Sequence, residues 1–383
     1  MGDEREPTDA ASGVAKTQPR MPERVPTEPP PPTRPKTAEP VPRVKAAQLS
    51  MADMLVGTVL ADRYQLLEKI GEGAMGWVFL AEHTEIGKKL AIKVMRPSLC
   101  RMPEAVSRFR REARAATKVG NKHIVDVTDF GTTPSGAVFF AMEYLENGED
   151  LGTTLKREGR LAWTRVQNLL LQLCEALQAA HDAGIIHRDV KPANFYRVPI
   201  GDPSEASTGS EMIKVLDFGI ARLANPTDSI VTQTGVVMGT PDFMAPEQAQ
   251  GRHVDHRADI YSLGATAWAL VVGRPPFSGK NEYDIIHKHL TEPPRPPSMI
   301  VRDVPEWFDD VLLKAMAKEP GARWASMADF AKALRNPADK STERGRVERS
   351  HPTVAHALSI PMLVLGALAL AVIGGLVVYL IAG

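Results

Sequence analysis

Several short stretches of this chain carry residues suited to handling phosphate esters. His187-Arg188-Asp189-Val190-Lys191-Pro192-Ala193-Asn194 sets a carboxylate, a cation and an amide close together. An aspartate there can orient a hydroxyl and accept its proton. A lysine two places on can neutralise charge on a moving phosphoryl, and an asparagine five places on can offer an oxygen to a metal. Asp217-Phe218-Gly219 supplies a second acid, and carboxylate oxygen is what a hard cation such as Mg²⁺ prefers. Gly71-Glu72-Gly73-Ala74-Met75-Gly76 is a loop whose glycines let backbone close over phosphates without Cβ clashes. Lys93 stands alone in the apolar run Leu90-Ala91-Ile92-Lys93-Val94, and Ala245-Pro246-Glu247 closes the series. In this order, the stretches are the parts needed to move the γ-phosphoryl of ATP.

Each stretch has a plainer reading by itself. A G-x-G-x-x-G also opens Rossmann helices, but here β-type residues Trp77-Val78-Phe79-Leu80-Ala81 follow it. A lone lysine can keep a sheet edge soluble. Asp129-Phe130-Gly131 repeats the second acid triplet without an upstream His-Arg-Asp, so order marks it as a decoy.

These residues need elements to hold them. Tyr64–Ile70 reads as a strand, the glycine loop as a hairpin tip, and Trp77–Ala81 as the returning strand. Leu90–Val94 is a further short strand, and Arg108–Ala113 a helical stretch. Val166–Ala180 is an apolar-periodic helix that would bury Cys174. Ile213–Leu216 is a strand leading to Asp217. Arg197–Met212 is longer than a tight hairpin needs and reads as a surface loop.

With these motifs in place the chain resembles the protein kinase family over Tyr64 to Arg335. It is most similar in kind to bacterial membrane-anchored, eukaryotic-like serine/threonine kinases. The resemblance implies an α+β, bilobal protein-kinase-like fold with a small β-rich lobe and a larger helical lobe, ATP lying between them. It implies ATP with Mg²⁺, or Mn²⁺ as a substitute, and protein substrates carrying Ser or Thr. Lys93 would hold the α- and β-phosphates, paired with Glu112 rather than with Glu104, which follows Pro103 near the helix start. Ile70, Gly71, Glu72, Gly73, Ala74, Met75, Gly76, Val78 and Ala91 would form the roof of the nucleotide site. The backbones of Glu143 and Leu145 would bond the adenine edge, with Met142 behind. Tyr196 would be the floor, a position that in the family is usually Leu or Met. Asp189 and Lys191 would be catalytic, and Asn194 and Asp217 would hold metal. Arg188 implies activation by phosphorylation of the loop, with Thr232 and Thr234 as the sites, and Thr240 would shape the hydroxyl site. Glu247 would pair with Arg323, and Asp259 would brace the catalytic loop. A nucleotide-binding scaffold without catalysis would lack Lys93, Asp189, Asn194 or Asp217, and all four are present. A small-molecule phosphotransferase of similar fold would lack the segment ending in Ala-Pro-Glu.

Composition divides the remainder. The chain has 383 residues, with 46 Lys plus Arg against 46 Asp plus Glu, so no basic excess calls for nucleic acid. Residues 1–50 are rich in Pro, Thr and charge and cannot bury enough surface to offset their ordering entropy. The 2 cysteines, Cys100 and Cys174, fit no metal spacing. Residues 336–356 form a polar linker carrying Lys340, Arg344, Arg346 and Arg349. Residues 358–382 carry no charge, and as a helix would reach about 37 Å, more than the hydrocarbon core of a bilayer. They are expected to be a single membrane span with the catalytic region on the cytoplasmic side. The stripe Ala367, Ala371, Gly375 would allow close helix approach and a homodimer.

Overall fold

In the computed structural model, which describes residues 51–133, 135–200, 211–217 and 241–335, the first layer is a six-stranded sheet. Its strands are β1 (Val59–Leu60), β2 (Tyr64–Glu72), β3 (Gly76–His83), β4 (Lys89–Met95), β5 (Val127–Thr132) and β6 (Val138–Glu143). They lie in the order β1-β2-β3-β4-β6-β5, every pair antiparallel. Side-chain alternation sorts β6 between two cores. Phe139 and Ala141 join Leu66, Phe79 and Ile92 on one face. Val138, Phe140 and Met142 point to the other, where they meet α2 (Pro103–Val119). Phe109 of α2 lies 4.8 Å from Phe140, ring to ring. A short α1 (Pro97–Cys100) links β4 to α2. Strand β2 carries two register shifts against β3, between Leu66 and Glu68 and between Lys69 and Gly71. Such bulges bend the strand, and this one leads into the glycine loop.

The second layer is helical: α3 (Leu151–Glu158), α4 (Trp163–Asp182), α5 (Pro246–Ala249), α6 (Arg257–Val272), α7 (Glu282–Thr291), α8 (Glu306–Ala315) and α9 (Met327–Arg335). Helix α6 is apolar on nearly every side and is buried from Ala258 to Val271, as an all-round hydrophobic helix must be. Gly264 lets α8 approach it, since a Cβ there would stand 2.9 Å from that of Ala315. Cys174 is buried in α4 as expected. A three-stranded sheet of β7 (Glu149–Asp150), β8 (Phe195–Pro199) and β9 (Glu211–Val215) joins the layers.

The two-lobed α+β architecture follows the sequence reading, with one correction. The ends of the 197–212 segment are strand rather than loop, because residues 197–199 pair with residues 211–213. Only residues 201–210 between them lie outside the described residues. The 1–50 tail, the 336–356 linker and the 358–382 span also lie outside them. Among the described residues no helix is long and apolar enough to cross a membrane.

One buried group in the helical layer sets a pH dependence. His289 of α7 is fully buried. Its Nδ1 accepts from the Tyr261 hydroxyl at 2.9 Å and its Nε2–H donates to the Asp242 carbonyl at 3.0 Å, so the ring is neutral. Burial, aided by the nearby Lys318 ammonium, pushes it from 6.5 down to about 4. The folded state therefore resists a proton that the unfolded chain accepts. The stabilisation is complete above about pH 6.5 and is lost as pH falls towards 4, amounting to about 3 kcal/mol in all. Urea unfolding at several pH values should show this decline, and His289→Gln, which keeps a donor and an acceptor without titrating, should flatten it. An equally steep decline in the variant would place the effect elsewhere.

Candidate active site

A cleft of about 780 Å³ opens between the sheet and the helical layer. The β2–β3 hairpin roofs it, contributing Ile70 to Met75 and Val78, and Ala91 of β4 adds to that apolar wall. Met142 stands at the back and Glu143, Tyr144 and Leu145 form one side. Tyr196 and Leu216 also line it. Of the roof residues expected from the sequence, only Gly76 does not face the cleft. It sits in β3 against β4, and a Cβ there would lie 2.1 Å from the Val94 carbonyl oxygen. Its missing side chain serves strand packing. At Gly73 a Cβ would meet nothing within 4 Å, so open space there is what a ligand could use. Gly76→Ala should cost about 1–3 kcal/mol of stability by forcing β3 from β4. Gly73→Ala should stay within about 0.5 kcal/mol. Chemical denaturation of both variants checks the contrast, and equal losses would contradict it.

Lys93 is the hub of the site. Strand β4 turns it toward α2, where Glu112 shares the inward face with Phe109, Ala113 and Ala116. Lys93 Nζ donates to Glu112 Oε1 at 2.6 Å and to Asp217 Oδ1 at 2.7 Å. Burial alone would push the ammonium down, but the Asp217 and Glu112 carboxylates outweigh it and hold Lys93 above its usual range. Partial loss of hydration in the cleft opposes the charge of Asp217, whose side chain is still half exposed, and Lys93 more than offsets that, so Asp217 sits low. Glu112 is pushed up by its burial, against the pull of Lys93. The competing candidate, Glu104, lies exposed in the first turn of α2.

The loop from His187 to Asn194 lies across the cleft. Asp189 Oδ2 takes Lys191 Nζ at 2.8 Å and Asn194 Nδ2 at 3.1 Å. Asn194 Nδ2 also donates to the Asp189 carbonyl at 2.7 Å. Both bonds use the amide nitrogen, so the amide oxygen is not spent on Asp189. Two residues here hold left-handed backbone, Arg188 at φ 63° and Asp217 at φ 47°. Such conformations cost free energy in non-glycine residues and persist where surroundings impose them. Asp259 imposes the first: its carboxylate accepts from the His187 and Arg188 N–H groups, both at 2.8 Å. Gln248 Nε2 holds the Arg188 carbonyl at 3.0 Å. His187 is fully buried, and burial lowers its basicity. Its Nδ1 accepts from the Asp189 N–H at 3.2 Å, while Nε2 reaches the Leu216 carbonyl, also at 3.2 Å. The 187–194 loop is thereby tied to the strand end that carries Asp217.

The expected brace between Glu247 and Arg323 is also present, as a bidentate pair at 2.6 and 2.7 Å. The decoy triplet lies in β5 and does not line the cleft; there Asp129 accepts from the Tyr64 hydroxyl at 2.8 Å. Thr232, Thr234 and Thr240 lie outside the described residues.

Some residues that hold the walls of the cleft carry no signal in the sequence that would single them out. Arg96 grips the glycine loop from the β4–α1 junction, donating to Glu72 at 2.6 Å and to the Gly73 carbonyl at 3.1 Å. Lys214 of β9 ties Glu143 at 2.6 Å. Asn147 and Gly148 turn the chain from Leu145 toward α3, with Asn147 at φ 56°; here the Asn-Gly pair is a readable turn signal.

These observations coincide with the comparisons to known proteins. Residues 64–336 match the family described as "Protein kinase domain". The chain belongs to the protein kinase family. It is 39% identical over 308 residues to a probable serine/threonine-protein kinase PknB of Corynebacterium glutamicum, covering 78% of this chain and 44% of that protein. It is 42% identical over 284 residues to serine/threonine-protein kinase Pkn1 of Myxococcus xanthus, covering 74% of this chain and 39% of the other. The chain thus spans less than half the length of these two relatives. Among solved structures it is similar to the Mycobacterium tuberculosis PknI kinase domain, at 30% identity and a TM-score of 0.56, over 74% of this chain and 98% of that one.

The family implies a divalent metal, and the residues fit one. Asp217 offers a carboxylate half open to the cleft and Asn194 an amide oxygen, both hard donors lining one cavity. Among the described residues no group of three or more His, Cys, Asp or Glu could hold a metal alone. Two protein oxygens completed by phosphates is the arrangement Mg²⁺ favours.

Proposed function

We propose that this chain is a serine/threonine protein kinase that moves the γ-phosphoryl of ATP to a protein hydroxyl. The observation that carries this is Lys93 held between Glu112 and Asp217 at 2.6 and 2.7 Å, opposite Asp189, Lys191 and Asn194. Lys93 is fixed, charged and lines the cleft, so it can hold phosphate oxygens without reorganising. Asn194 and Asp217 would hold Mg²⁺, which neutralises charge on the phosphates when bound. Asp189 orients the acceptor hydroxyl and takes its proton as the new phosphorus–oxygen bond forms and the bridging oxygen leaves with ADP. Lys191, already on Asp189, offsets charge on the group in transit. Full chain incubated with Mg²⁺, γ-labelled ATP and a hydroxyl-rich acceptor protein should yield acid-stable phosphoserine or phosphothreonine. Label on tyrosine alone, or on no residue, would overturn the proposal.

The same reading extends to regulation and place. Arg188 beside Asp189 supports activation by a phosphate at Thr232 or Thr234, and the uncharged 358–382 run supports attachment to a membrane. Carbonate-washed membranes should retain the full chain and release one lacking 358–382.

A further inference from the structure

Away from the cleft, six charged side chains close a ring of alternating sign. Arg165 of α4 clasps Glu211 of β9 with two N–H groups, at 2.8 and 2.6 Å. Glu211 also accepts from Arg197 of β8 at 3.0 Å, and Arg197 reaches Glu149 of β7 at 2.6 Å. Glu149 takes Arg157 of α3 at 2.7 Å, Arg157 takes Glu158 at 2.8 Å, and Glu158 returns to Arg165 at 2.5 Å. Thr154 bridges inside it, accepting from Arg197 and donating to Glu149. The side of the ring on the β8–β9 hairpin is the more buried, with Glu211 12% and Arg197 16% exposed, against 52% for Arg157. Gln172 of α4 adds two bonds to the β9 backbone, donating to the Glu211 carbonyl and accepting from the Ile213 N–H, both at 2.9 Å.

The hairpin so gripped has a particular cargo. Strand β8 begins directly after Asn194, and β9 ends two residues before Asp217. Arg197 pairs with Ile213 and Phe195 with Val215, and the Leu216 N–H donates to the Asn194 carbonyl at 2.9 Å. The register of this hairpin therefore sets where Asn194 and Asp217 stand. A slip of one residue would also turn Tyr196 away from the cleft. A two-residue turn would dictate that register, but residues 200–210 separate the strands here. Something other than the connection has to fix it.

We propose that the charge ring does so, and that Arg197 and Glu211 are positioning residues for the metal-holding pair. The proposal rests on the reading of Asn194 and Asp217 given above, and its test separates the two. In Glu211→Gln, hydrogen exchange of the β9 amides should quicken by roughly tenfold while that of β2–β4 stays unchanged. The Mg²⁺ concentration that half-saturates binding of a non-hydrolysable ATP analogue should rise by about 10–100-fold, as when a group supporting a ligand is lost. Faster exchange with unaltered Mg²⁺ dependence supports the register role and overturns the metal reading beneath it. Unchanged exchange overturns the proposal. A charge exchange tests closure of the ring. In Arg165→Glu/Glu211→Arg the pair is restored with its signs reversed. The new carboxylate at position 165 would then face Glu158, and the new guanidinium at position 211 would face Arg197. The double variant should exchange no more slowly than Glu211→Arg alone. Recovery to wild-type protection would reduce the ring to an isolated pair and overturn it.

Discussion

Asp189→Asn should lower phosphoryl transfer by about 10²–10⁴-fold, the usual loss when a general base is removed. The substitution is nearly isosteric. An asparagine oxygen still accepts from Lys191 and Asn194, which lie 2.8 and 3.1 Å from the present carboxylate. The loop backbone is held from elsewhere, by Asp259 and Gln248, so folding and nucleotide affinity should change little. Loss is thus expected in kcat, with the Kd for Mg-ATP within about threefold of wild type. Steady-state transfer and equilibrium nucleotide binding on the same preparation decide it. A variant with near-normal turnover would remove Asp189 from the chemistry.

Arg323→Met should cost about 3–5 kcal/mol of stability, because it leaves a buried carboxylate without its counter-charge. The Arg323 side chain is wholly buried. All five of its N–H donors are used: two on Glu247, and the others on the carbonyls of Ala317, Arg257 and Lys318. Methionine fills much of the volume but strands Glu247 and three carbonyls. A second change, Glu247→Leu, should recover part of the loss by removing the unpaired charge. Urea midpoints of the three variants measure this. A loss below about 1 kcal/mol in Arg323→Met would mean that the pair is no more than a surface-grade bridge.

Much of this site is legible in the sequence because local patterns meet at fixed distances in the chain. Lys93 alone in an apolar strand calls for a carboxylate, the family resemblance picks Glu112 from the helix that follows, and the fold closes the pair at 2.6 Å. Asp259 is readable as a brace only through the family resemblance, and its carboxylate does accept from two backbone N–H groups. Gly76 is legible as a glycine that has to be one, but its reason is not, because the Val94 carbonyl arrives from a strand whose register only the sheet fixes. The six ring charges are invisible for a similar reason. At positions 149, 157, 158, 165, 197 and 211 each looks like a solvated surface residue, and their closure depends on how five elements pack. Arg96 on Glu72 and Lys214 on Glu143 are likewise long-range pairings that no spacing announces.

The central claim is transfer of a phosphoryl group, and intact-mass measurement of the full chain tests it most directly. After incubation with Mg²⁺ and ATP, wild type should gain whole phosphoryl increments that map to Ser or Thr, while over the same interval Asp189→Asn gains at most about a hundredth as much and a wild-type sample given a non-hydrolysable analogue gains none. Wild type that binds Mg-ATP and yet keeps its mass, and leaves an added acceptor protein unmodified, would make this cleft a nucleotide-binding scaffold and contradict the account.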